Sequence, residues 1–294
     1  MTPGSQPAKA IAWMGLALLS FTAMVIPIRA LAPDLHAFEM LFVRSAIGLV
    51  ILSGLLSVRG WHLLKTQRLP GHLLRNVIHF TGQSLWIFGI TLLPLATVSA
   101  IEFTTPIWGA LLAVLFLGER MHRGRWVALA MGFLGILIIL RPGLGPEGSG
   151  LISVGAVIML ACAFCFGATN VVTKGLTSSE RSLTILFYMV AMQTLFGGIG
   201  AAFVWAPLEL GHWPWLLLLA VTGLSAHLGL VRAFAAAEAT FVMPFEFLRL
   251  PFVAALGFFL YAEAFELVTL LGAALIFAGN YYSLRQEGRV AEDA

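Results

Sequence analysis

Residues 101–119 read IEFTTPIWGALLAVLFLGE, and residues 245–263 read FEFLRLPFVAALGFFLYAE. Each stretch opens on Glu-Phe (Glu102-Phe103 and Glu246-Phe247), 144 residues apart. Each then has a proline, Pro106 or Pro251, an apolar run, and a closing glutamate, Glu119 or Glu263. The correspondence continues outward. Arg29-Ala30-Leu31 meets Lys174-Gly175-Leu176, Ala96-Thr97 meets Ala239-Thr240, and Gly135 meets Gly279, all at offsets of 143–145. Matches that keep one order at nearly one offset point to an internal duplication.

Composition says what is duplicated. Of the 294 residues, 60% are hydrophobic and 11% charged, against about 45–50% and about 25% in a soluble domain. Mean hydropathy is +0.94. So few charges cannot cover a soluble body of this size, which excludes an ordinary soluble enzyme. The net charge of +3 comes with no dense basic run, so no nucleic acid partner is expected. A spanning helix needs about 20 apolar residues to cross about 30 Å of hydrocarbon. Apolar runs predict spans at 10–28, 37–58, 73–93, 95–117, 125–140, 151–173, 182–205, 214–231, 239–261 and 265–284, with a tight turn at Pro94.

With the N-terminus inside, thirteen of the 17 Lys and Arg fall at inner span ends and two, Arg29 and Arg141, at outer ends. That asymmetry predicts that both termini are cytoplasmic. The repeat offset covers five spans, an odd number, so the second half enters the bilayer upside down. The expected fold is an all-α polytopic membrane protein of ten transmembrane helices. They form two inverted five-helix repeats, residues 8–141 and 150–285, followed by a short polar tail, 286–294. Inverted repeats characterise secondary transporters, with the site near the midplane. A duplication retained only for folding is the plainer alternative.

The prolines about midway along the fourth and ninth spans, the closures Leu117-Gly118-Glu119 and Tyr261-Ala262-Glu263, and the following Leu134-Gly135 and Ala278-Gly279 carry a family resemblance. They resemble the drug/metabolite transporter superfamily in its ten-helix form with two EamA-type repeats, over about residues 8–285. The second repeat departs in having Ala262 where the first has Gly118. Within the superfamily the chain resembles the YddG-type exporters of aromatic amino acids. The resemblance implies a secondary, non-ATP transporter that exports small amphipathic metabolites, amino acids including aromatic ones foremost. It would work by alternating access around a central cavity. A carrier of a vitamin, a nucleoside or nucleotide, or a sugar derivative is the alternative. A channel or a membrane-embedded enzyme is more remote. Compact loops suit a bacterial inner membrane.

Polar side chains at membrane depth are costly and therefore candidate functional groups. Glu102 lies one turn before Pro106, which cannot donate to the Glu102 carbonyl, so side chain and carbonyl both offer acceptors. It is read as a site for a substrate amine or for protons, which are candidate co-transported ions, or else as a carboxyl hydrogen-bonded between helices. Glu246 and Arg249, three apart, are expected to pair, unless a substrate carboxylate competes for Arg249. His79, Gln83 and Trp86 fall on one helical stripe, either a cavity wall or a core histidine with its neighbours. His227 aligns with Gln83 under the repeat, and Asn170 is a similar candidate. Phe103, Trp108, Phe245 and Phe247 flank the prolines and as a set suit a flat apolar group. Pro106 and Pro251 are the expected hinges, because each interrupts the backbone ladder.

Arg44 is read as a helix clamp or a snorkelling residue, with Glu39 nearer the outer end of its span. Glu119 and Glu263 are read as anchors accepting from backbone N–H groups at the start of the next helix. No cofactor or metal is expected. The chain has no H-E-x-x-H or G-x-S-x-G, and the glycine-rich 142–150 stretch lacks the Lys-Ser/Thr of a phosphate loop. Cys162 and Cys165, a C-x-x-C within an apolar span, read as packing residues rather than a redox pair.

Overall fold

The computed structural model describes residues 6–92, 98, 101–140, 154–261 and 267–292, and every regular element among them is helical. The turn at Pro94, the 142–150 stretch and Glu263 lie outside the described residues. The helices are α1 (Pro7–Ala23), α2 (Val25–Leu31), α3 (Ala37–Arg59), α4 (Leu69–Leu92), α5 (Thr105–Leu117), α6 (Arg123–Leu140), α7 (Val154–Thr177), α8 (Ser182–Ala201), α9 (Trp213–Ala236), the single turn α10 (Ala239–Val242), α11 (Arg249–Tyr261) and α12 (Leu267–Glu292). Tighter 3₁₀ turns occupy Trp61–Leu64, Leu210–His212 and Met243–Leu248. Among the described residues, six stretches are long and apolar enough to cross a bilayer: Pro7–Leu31, Ala37–Arg59, Val154–Thr177, Ser182–Ala201, Leu210–Ala236 and Ala239–Leu260. They coincide with six of the ten expected spans, and α5 is apolar but shorter.

The chain forms two compact units that interleave in sequence. Unit I is Ala8–Phe80 with Val172–Ala235; unit II is Met1–Pro7, Thr81–Val171 and Ala236–Ala294. The division falls within α4 and within α7. These units are packing bodies, whereas the expected repeats concern ancestry, and the two partitions need not coincide.

In unit I, small residues let helices touch where lipid offers no hydrophobic drive for association. A Cβ on Gly229 of α9 would lie 2.6 Å from the Trp13 carbonyl of α1, and one on Gly197 of α8 would lie 3.3 Å from the Phe42 backbone of α3. Leu52, Leu176, Ile185, Leu186, Met189 and Val231 form a core between α3, α7, α8 and α9. Helix α3 starts with a capping box: His36 accepts from Phe38 N–H, and Glu39 accepts from His36 N–H at 2.8 Å. Glu39 also accepts from Ala206 N–H at 2.6 Å and is fully buried. Glu39 therefore caps a helix and ties down the loop after α8.

In unit II, α6 and α12 cross at the glycines of the sequence motif. A Cβ on Gly135 would sit 2.6 Å from the Gly272 carbonyl, and one on Gly279 would sit 2.8 Å from Met131. Gly118 ends α5 in the left-handed region at φ 66°, which accounts for glycine in Leu117-Gly118-Glu119. Glu119 does anchor a helix start, but not that of the next helix as expected. Its carboxylate accepts from the Ala239 and Thr240 N–H groups at 2.7 Å each and from the Thr240 hydroxyl at 2.8 Å. The tertiary fold brings the N-terminal donors of α10 to it, from 120 residues away in sequence. Arg125, which is 1% exposed, bonds Glu238 and Thr240 at the same corner. Cys162 packs in a cluster with Val98 and Met159, and Cys165 lies against Gly82.

The prolines correct the expectation of mid-span kinks. Pro106 and Pro251 both lie in the first turn of a new helix, α5 and α11. There the missing N–H would have had no partner anyway, and the fixed φ suits the helix start. The breaks themselves lie just before, at the turn of residues 103–104 and in the 3₁₀ segment Met243–Leu248. A 3₁₀ run of six residues is longer than such runs usually are.

Candidate functional site

The expected site residues gather into two clusters, one within each unit. In unit II the centre is Glu102, at the break before α5. One carboxylate oxygen accepts from Trp86 Nε1 of α4 at 2.8 Å, and the other accepts from Arg249 Nη2 at 2.8 Å. The Arg249 guanidinium also lies over the Phe103 ring, 5.0 Å from its centroid. The pair is not sealed: the side chains of Arg249 and Glu102 are 31% and 19% exposed. Charge-assisted bonds of this length are among the stronger polar contacts.

Arg249 acts on Glu246 through its charge, as the spacing predicts, and also donates to Glu102. Arg249 starts α11, whereas Glu246 belongs to the preceding 3₁₀ segment, and Arg249 reaches across to Glu102. Glu246 accepts from Asn170 Nδ2 of α7 at 2.9 Å. The Glu102 carbonyl, expected to be an open acceptor, instead receives the Thr105 hydroxyl at 2.6 Å. A side-chain hydroxyl thus satisfies this carbonyl at the break before α5. Gln83 lies one turn before Trp86 on α4, and its buried side-chain oxygen has no donor among the described residues.

The aromatic set disperses. Phe103 belongs to the cluster through Arg249. Trp108 packs edge-on against Phe164 and donates to the Thr104 hydroxyl at 3.2 Å. Phe245 is buried against Phe241, and Phe247 lies fully buried where a Cβ on Gly132 would touch it. These three are held as packing residues.

In unit I, His79 of α4 meets His227 of α9, their rings perpendicular with centroids 5.7 Å apart. Phe21 stacks edge-on against His227 at 5.5 Å. The two imidazoles border a cavity of about 20 Å³ whose wall also includes Arg44, Ser45 and Gln193, room for about one water-sized group. Arg44, read from the sequence as a helix clamp or a snorkelling residue, contacts Met24 Sδ at 3.6 Å and borders this cavity. Sequence reasoning had missed Gln193 altogether. The available signal was an amide within an otherwise apolar span, of the same kind that drew attention to Gln83. Among the described residues no group of three His, Cys, Asp or Glu is placed to hold a metal ion.

The model of the EamA-like transporter family matches this sequence twice, over residues 8–141 and 153–285. A riboflavin transporter of Rhizobium johnstonii is 32% identical over 292 residues, covering 97% of this chain and 94% of its own. An S-adenosylmethionine uptake transporter of Rickettsia bellii is 28% identical over 280 residues, covering 94% of each chain. A pseudopaline exporter of Pseudomonas aeruginosa is 29% identical over 265 residues, covering 89% of this chain and 90% of its own. A solved crystal structure superposes with a TM-score of 0.82 at 15% identity, over 97% of this chain and 99% of its own, and so shares the fold.

Proposed function

The chain belongs to the EamA-like transporter family, and from that premise we propose that it carries a small amphipathic metabolite through the Glu102 cluster. It is a multi-pass membrane transporter rather than an enzyme. The observation that carries the proposal is a carboxylate held between an indole and a guanidinium, Trp86–Glu102–Arg249, with its side chain still partly accessible. A substrate ammonium replaces Arg249 on Glu102 or approaches Glu246. A planar group lies against Trp86 and Phe103, and the Gln83 amide oxygen takes a donor. His79 and His227 form a separate polar cluster within unit I. Amino acids, aromatic ones included, fit this inventory and are our first choice. Relatives named for riboflavin and S-adenosylmethionine favour a second reading, a vitamin- or nucleoside-containing substrate.

Transport proceeds by alternating access without ATP, with flexing at residues 103–104 and at Met243–Leu248, in a bacterial inner membrane with both termini cytoplasmic. Protons moving through Glu102 or Glu246 would couple it to a pH gradient. Export is the direction implied by the sequence resemblance, while the relatives are named for both uptake and export. The test is counterflow in proteoliposomes without ATP, using labelled phenylalanine, riboflavin, S-adenosylmethionine and a nucleoside. Accumulation of one class, lost in Glu102→Gln while the protein stays folded and inserted, is the expected result. No counterflow with any class, or undiminished counterflow in Glu102→Gln, overturns it.

A further inference from the structure

The interior of unit I has an unbalanced charge inventory. Two of its arginines are Arg44, within α3, and Arg75, within α4. Arg75 donates to neutral acceptors, the Thr173 hydroxyl at 3.2 Å and the Asn76 side-chain oxygen at 2.9 Å. Unit I contains four carboxylates, Asp34, Glu39, Glu180 and Glu209, and each is engaged outside the helix interiors. Asp34 meets His212 at 3.4 Å, and Glu39 caps α3. Glu180 accepts from the Thr66 hydroxyl, and Glu209 caps the 3₁₀ turn Leu210–His212. Arg44 contacts the thioether of Met24 and no carboxylate among the described residues. An arginine in an apolar span without a counter-charge is costly. The sequence has kept it beside a cavity.

That cavity is rich in donors. Around it stand the Arg44 guanidinium, the Ser45 hydroxyl, the Gln193 amide and the imidazoles of His79 and His227. His227 is 8% exposed, and its Nδ1 has no hydrogen-bond partner among the described residues. No carboxylate borders the space. Two glycines keep it open: a Cβ on Gly48 would lie 3.2 Å from Val190 Cγ1, and one on Gly223 would lie 3.6 Å from the Arg44 Nη1.

We propose that Arg44, Gln193 and His227 form a binding site for a small monovalent anionic group, the carboxylate of the transported molecule. A space with room for about one water-sized group is on the scale of one carboxylate end or one halide ion. The identity of the carboxylate's bearer rests on the transporter reading above. The anion site itself does not, and binding is measured apart from transport.

The experiment is thermal unfolding of the purified full chain in nanodiscs, with bulky sulfate as the background anion, titrated separately with sodium acetate and sodium chloride. Saturable stabilisation by acetate is expected, because a ligand that binds the folded state raises the midpoint. Arg44→Gln should weaken acetate binding by at least about tenfold, the loss of one hydrogen bond to a charged group. Gly223→Ala has room to fold, since its methyl meets only ordinary contacts, and it should shift the acetate titration in the same direction by narrowing the space. Stabilisation by acetate alone assigns the site to an organic carboxylate. Stabilisation by chloride that acetate displaces keeps the site and identifies free halide as a second occupant. Absence of saturable stabilisation by either anion, or titrations unchanged in both variants, overturns the proposal. Anion binding without counterflow of any metabolite would sink the transport reading and leave this site standing.

Discussion

Cutting the bridge between Glu102 and Arg249 has a calculable signature. Arg249→Met removes one charge-assisted bond at 2.8 Å and the cation over Phe103, about 1.5–3 and about 0.5–2 kcal/mol respectively. It also leaves a carboxylate with Trp86 as its remaining donor. A fully buried pair broken on one side costs about 3–5 kcal/mol. These side chains are 31% and 19% exposed, so solvent screens part of that, and about 2 kcal/mol is expected for Arg249→Met. Glu102→Gln is milder, about 1 kcal/mol, because the amide oxygen still accepts from one donor and the guanidinium keeps its ring. In the double variant the stranded charge is gone. Its cost should therefore fall below the sum of the singles by about 1 kcal/mol or more, a coupling that contacting residues show and distant ones do not. The assay is reversible unfolding in detergent for all four proteins, read by tryptophan fluorescence. Additivity within about 0.5 kcal/mol would refute the claim that the two side chains act as one unit.

Three more outcomes follow from the same geometry. Glu119→Gln should destabilise by about 1–2 kcal/mol, the range for losing a helix cap, and hydrogen exchange at the start of α10 should accelerate selectively; unchanged exchange there contradicts the capping role. Gly135→Val should lower the unfolding midpoint clearly more than Gly54→Val, because a Cβ on Gly135 strikes the Gly272 carbonyl at 2.6 Å whereas one on Gly54 meets open space; equal effects would remove the α6–α12 crossing as a determinant. Trp86→Phe keeps an aromatic face but loses the 2.8 Å bond to Glu102, so substrate affinity should fall by about tenfold with folding retained, and an unchanged half-saturation concentration in counterflow counts against Trp86 as a positioning group.

Helix positions were legible because apolar runs of membrane length and basic flanks are properties of the chain itself. The glycines of α6 and α12 were legible as motif positions, but their partner surfaces were not. The misplaced details share one cause: sequence spacing describes neighbours on a single regular helix, and the site is built where helices stop. Glu246 and Arg249 lie three apart, yet that spacing does not reveal that Arg249 also reaches Glu102. Pro106 was visible as an interruption, but not the Thr105 hydroxyl that satisfies the Glu102 carbonyl. Arg44 reads as a helix clamp or a snorkelling residue, and nothing local reveals the cavity it borders or that Ala206 would bond the Glu39 carboxylate.

The hold of Glu119 on α10 has a mechanical corollary. Three hydrogen bonds from one carboxylate fasten the tail of α5 to the head of α10, so neither can swing away without uncovering backbone donors in a setting poor in water. Those two ends travel together, like the fixed side of a door. Any bending of that part of unit II is thereby displaced downstream, into the 3₁₀ segment Met243–Leu248 that leads directly to Arg249 and its grip on Glu102.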